Sequence, residues 1–74
     1  MRKYTQKDLK NFVKLGLAID ITNWSDKECY DLRRQGITQI GYSAGVYGCN
    51  GMLLKDKQGQ WYVITARNTN LFIF

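Results

Sequence analysis

The chain has 74 residues, 45% of them hydrophobic and 23% charged, with a formal net charge of +5 and no histidine. That length suffices for one domain, residues 1–74, and the composition argues against intrinsic disorder. Without histidine no Ser–His or Cys–His nucleophile pair can be built. Cys29 and Cys49, outside any C-x-x-C pair, leave a structural zinc site short of ligands.

The first predicted element is a helix from Gln6 to Leu15. Thr5 is its N-cap and Asp8 supplies a short capping-box carboxylate, while Tyr4 and Leu9 fit a hydrophobic staple. Leu9, Phe12 and Val13 share one face at the helical period, and Gly16 stands where a left-handed residue ends a helix. Ile19 and Ile21 alternate with Asp20 and Thr22, as in a short extended segment or edge strand. A second helix is predicted from Asp26 to Gln35, opened by the full capping box Ser25–Glu28 and closed by Gly36. Cys29 and Leu32 give it one narrow apolar stripe.

Glycines then recur at positions 41, 45, 48 and 51, with Tyr42 and Tyr47 among them. Met52–Leu54 reads as a strand, Asp56–Gly59 as a hairpin turn and Trp61–Thr65 as the strongest strand of the chain. Arg67–Asn70 reads as a second turn, and Leu71–Phe74 as a final strand. The expected architecture is α+β: two N-terminal helices packed on one face of a small three-stranded antiparallel sheet.

The glycine spacing lacks the Lys-Ser/Thr of a phosphate-binding P-loop and opens no helix. It reads as a tight, bulged strand whose glycines supply positive φ angles and room for aromatic rings. The carboxylates Asp8, Asp26 and Glu28 have capping or dipole roles and Asp56 lies in a turn, so Asp20 alone is expected in an apolar setting. No catalytic residue, cofactor or metal is expected, and the two thiols read as reduced, mostly buried groups, with a disulfide as the alternative.

Residues 1–14 carry Arg2, Lys3, Lys7, Lys10 and Lys14 against Asp8, a net of +4, which leaves +1 for the rest of the chain. Lys7, Lys10 and Lys14 line one stripe of the first helix and, with Arg2, Lys3 and Arg67, form a candidate face for an anionic partner such as nucleic acid. The same lysines also suit a solvated outer face. Tyr42, Tyr47, Asn50, Asn68 and Phe74 are candidate protein-contact residues, because Trp24, the tyrosines and the terminal Phe72 and Phe74 exceed what a core this small needs. The Leu71–Phe74 strand is a candidate homodimer edge. Tyr4–Asp8 stands where the apolar region of a secretory signal would begin, and no apolar run nears the roughly 20 residues of a membrane span. The expectation is a cytoplasmic protein without membrane contact.

The segments Gly41-Tyr42-Ser43-Ala44-Gly45-Val46-Tyr47-Gly48-Cys49-Asn50-Gly51 and Trp61-Tyr62-Val63-Ile64-Thr65-Ala66-Arg67-Asn68 are similar to short uncharacterised proteins encoded by phages and mobile elements of Gram-positive gut bacteria. The resemblance covers roughly the C-terminal half and transfers no functional residue. The lack of catalytic groups and the excess of aromatic residues point to a non-enzymatic protein-binding module, and the resemblance implies a genomic setting in which such small proteins often act as inhibitors or modulators of a host or defence complex. Nucleic-acid binding through the lysine face is the alternative.

Overall fold

Each helix starts where a hydroxyl and a carboxylate three residues later satisfy one another's backbone. The computed structural model describes residues 2–45, 48–65 and 72, with the backbone alone at 45, 48 and 49. In α1 (Gln6–Lys14), Thr5 Oγ1 accepts the Asp8 N–H at 3.1 Å and Asp8 Oδ2 accepts the Thr5 N–H at 3.1 Å. In α2 (Asp26–Arg34), Ser25 and Glu28 repeat the exchange at 3.2 and 3.1 Å. Both helices stop one residue before the expected end, and Gly16 and Gly36 follow at φ of 76° and 94°, a left-handed turn that glycine takes without steric cost.

The sheet is larger than the expected meander. Strands β1 (Arg2–Lys3), β2 (Ala18–Asp20), β3 (Ile37–Gly45), β4 (Gly48–Asp56) and β5 (Trp61–Thr65) form one mixed sheet in the order β1-β3-β4-β5-β2. β4 lies at the centre, antiparallel to both β3 and β5; β1 joins β3 in parallel and β2 joins β5 in parallel. This corrects the three-stranded antiparallel expectation. Two- and three-residue strands are too short to show a period of their own, so parallel pairing to a longer neighbour is what defines them. The segment around Ile19 is indeed an edge strand.

The helices lie on opposite faces of the sheet, which corrects their expected placement on one. Leu9, Ala18, Leu53 and Val63 form one core, with Tyr4, Phe12, Val13, Ile40 and Trp61 packed against it. Ile21, Cys29, Leu32, Met52, Leu54, Tyr62, Ile64 and Phe72 form the other, with Trp24 and Ile37 alongside. The first core carries α1 residues and the second α2 residues. Successive strand residues point to opposite faces, so Leu53 sits under α1 while Met52 and Leu54 sit under α2. Each such leucine, buried to 0% exposure, contributes about 1.5–3 kcal/mol.

Gly41 makes room for an aromatic ring, as expected of the glycine run, but without a positive φ. A Cβ added there would lie 2.4 Å from Tyr4 Cε2. The ladder between β3 and β4 shifts register between Gln39 and Gly41 and again between Ser43 and Ala44, which is the bulging that was expected. At the β4–β5 turn, Asp56 Oδ1 accepts the N–H groups of Gln58 and Gln60 at 2.9 Å each. Of the expected final strand, Leu71, Ile73 and Phe74 lie outside the described residues. Phe72 is buried in the α2-side core and not exposed, because apolar neighbours there take its ring out of water. No helix among the described residues is long and apolar enough to cross a membrane.

Candidate functional site

The chain leaves α1, turns at Gly16 and enters the edge strand β2, and this corner holds three of the four exposed large hydrophobic side chains among the described residues, the fourth being Tyr30 on α2. Leu15, Leu17 and Ile19 remain 70%, 53% and 42% exposed. They occur within five consecutive residues of a chain whose other large apolar groups mostly enter a core. Leu17 also meets Trp61 and Gly59 around a recess of about 220 Å³ at the start of β5. Contiguous exposed apolar area beyond a few hundred Å² marks contact surfaces, and these three side chains are the candidates for one here.

A second recess, of about 340 Å³, lies between α1 and the sheet toward the carboxyl ends of β2 and β5. Lys10, Val13 and Lys14 line one wall, and Asp20, Val63 and Thr65 the other. Asp20 and Thr65 end the neighbouring parallel strands β2 and β5. Asp20 is exposed, not in an apolar setting as expected, because its strand lies at an edge with no further strand beside it among the described residues. Its Oδ1 accepts the Thr22 N–H at 2.9 Å and the Thr22 Oγ1–H at 2.6 Å. Thr22 Oγ1 in turn accepts the Thr65 N–H at 3.0 Å and lies 3.1 Å from Thr65 Oγ1. The carboxylate is thus tied to its own strand end. Among the described residues Lys10 and Lys14 have no ion-pair partner. The recess therefore holds two ammonium groups against one carboxylate, a surplus of one positive charge.

The sequence-predicted residues distribute unevenly. Lys7, Lys10 and Lys14 are exposed on α1, and Arg2 and Lys3 are exposed on β1 at the far edge of the sheet, with the Arg2 guanidinium 5.5 Å from the Tyr4 ring centre. Tyr42 is half-buried and Asn50 exposed, its carbonyl accepting Gln6 Nε2 at 2.8 Å. Trp24 is half-buried against Tyr62, ring centres 6.3 Å apart. Arg67, Tyr47, Asn68 and Phe74 lie outside the described residues. The structure brings Lys10 and Lys14 together with Asp20, which sequence reasoning had treated separately. It also adds Leu15, Leu17, Ile19 and Thr65. The available signal was Leu15 and Leu17 standing on either side of Gly16, beyond the reach of the helix's apolar face.

Elsewhere, Lys27, Tyr30, Arg33 and Arg34 border a wide recess of about 770 Å³, but these four residues all belong to the outer face of α2, and Arg34 is paired with Asp31. No three Cys, Asp or Glu side chains among the described residues converge as metal ligands. Cys29 is a free, buried thiol, its pKa pushed up by desolvation and then by the charges of Asp26 and Glu28. Compared with protein-family models, curated proteins and solved structures, the chain matches none.

Proposed function

We propose that this chain is a small non-enzymatic protein-binding module that docks through the corner between α1 and β2. The observation that carries this reading is the exposure of Leu15, Leu17 and Ile19 beside an edge strand. Completing their burial in a complex would contribute on the order of 3 kcal/mol at the usual value per unit of apolar area. The resemblance of the C-terminal half to short phage-encoded proteins supports a role as inhibitor or modulator of a larger host or defence complex in the cytoplasm. The test is capture of proteins from a nuclease-treated lysate of a Gram-positive bacterium by the wild-type chain and by a Leu17→Asp/Ile19→Asp variant. A protein retained by the first and lost by the second is the expected result. Equal capture by both would remove the corner from the argument.

A second reading is nucleic-acid binding through Lys7, Lys10 and Lys14, favoured by their exposure without ion-pair partners among the described residues. It requires affinity that falls steeply with salt, by about one counterion per phosphate neutralised. Lys→Gln replacement of the three would abolish it, and unchanged affinity would exclude this face.

A further inference from the structure

We infer that the partner supplies an extended segment of alternating carboxylate and apolar residues, which pairs with the edge of β2 that has no strand neighbour among the described residues. This rests on the docking corner proposed above and specifies what fills it.

The backbone provides the first part of the argument. The Ile21 N–H donates to the Val63 carbonyl at 2.9 Å. In a parallel ladder alternate residues of a strand face the same neighbour. Ile19 and Ile21 therefore face β5, and the N–H and C=O groups of Ala18 and Asp20 point away from the sheet. These outward groups are a template for one more strand. The opposite edge strand β1 carries only the charged Arg2 and Lys3, and charged side chains on an edge strand discourage pairing. The β2 edge instead carries the exposed Ile19, preceded by Leu17.

The side chains provide the second part. Ala18 belongs to the core under α1, so Asp20, two residues on, faces the same side, where Lys10 and Lys14 line the recess. Ile19 faces the other side, level with Tyr62. A strand laid beside β2 alternates in the same way. Its residues on the α1 side meet two ammonium groups against one carboxylate, and those on the α2 side meet Ile19. Charge complementarity selects carboxylates for the first set and apolar burial selects aliphatic groups for the second.

The probe is a fluorescein-labelled peptide of alternating Glu and Val, titrated with the full chain by fluorescence anisotropy. Saturable binding is expected, weakened about fivefold in the Lys10→Gln/Lys14→Gln variant, as the loss of two partly exposed ion pairs implies. Two N-methylated versions of the peptide test strand pairing without altering the protein. Methylation of the edge-facing alternate amides should abolish binding, and methylation of the other set should leave it. Absence of saturable binding overturns the inference, as does equal loss from both methylated sets or equal affinity for a Glu-Gly peptide. Preference for a single-stranded DNA of equal charge overturns it in favour of the lysine face. If the Leu17→Asp/Ile19→Asp variant still loses a captured protein while the peptide fails to bind, the docking corner stands and the strand-pairing inference alone falls.

Discussion

The placement of the helices on opposite faces predicts that two adjacent leucines have separable effects. Leu53 and Leu54 are each 0% exposed on the central strand β4, the first in the α1-side core and the second in the α2-side core. Replacing a buried leucine by alanine costs about 2–5 kcal/mol through lost transfer energy and the cavity left behind. A chain this size has roughly 4–11 kcal/mol of total stability, so either substitution removes a large share. At about 4–8 °C per kcal/mol for a domain of this length, a mid-range loss of about 3 kcal/mol lowers Tm by roughly 12–24 °C. The two tryptophans report on which face has loosened. Trp61 packs edge-on against Phe12 at 5.5 Å on the α1 side, and Trp24 against Tyr62 at 6.3 Å on the α2 side. In Trp24→Phe and Trp61→Phe backgrounds, Leu53→Ala should shift the emission of Trp61 and leave that of Trp24, and Leu54→Ala should do the reverse. Thermal melts by circular dichroism supply the stability change. Costs below about 1 kcal/mol, well under the core-leucine range, or equal shifts of both tryptophans by each substitution, would refute the two-faced core.

Three further outcomes follow from single contacts. Gly41→Ala places a methyl 2.4 Å from Tyr4 Cε2 and should destabilise by about 1–3 kcal/mol by overpacking; in a Tyr4→Ala background urea titration should show most of that cost gone. The Asp56 carboxyl feels partial desolvation upward, but donation from Gln60 N–H, Tyr62 Oη–H, Gln58 N–H and Gly59 N–H wins and its pKa is lowered. A pKa below the unfolded value adds stability above about pH 4 that is lost as pH falls through the folded value, so Asp56→Asn should flatten the acid limb of a stability–pH curve. Cys29, buried and with a raised pKa, should react with a thiol reagent only as fast as the protein opens. Rapid labelling of Cys29 under native conditions, with Cys49 replaced by Ser, would contradict its burial.

Much of the local structure was legible in the residues. Both capping boxes, the two glycines that end the helices, the narrow Cys29–Leu32 stripe and the Asp56 turn depend on contacts within a few positions, so spacing alone specifies them. The overlooked signal for the architecture was also present. Met52-Leu53-Leu54 and Trp61-Tyr62-Val63-Ile64 are continuous apolar runs without alternation, and strands covered on both faces read in this way. A meander with helices on one face would have left every second residue polar. The lysines of α1 were identified, but their meeting with Asp20 was not, because it depends on how the helix crosses the sheet.

What the sequence by itself determined was where the helices begin and end, which segments are the long strands, and that the N-terminal part concentrates the positive charge. Those properties come from neighbours in the chain and from residue chemistry. Only the tertiary structure decided that Arg2–Lys3 and Ala18–Asp20 become the opposite edges of one sheet, that the helices cover opposite faces, and that Lys10 and Lys14 open toward Asp20 beside exposed Leu17 and Ile19. A two- or three-residue strand carries no period of its own and acquires its identity from a partner more than thirty-five positions away. The composition of the candidate site is therefore a consequence of parallel pairing at the edge, which no local pattern encodes.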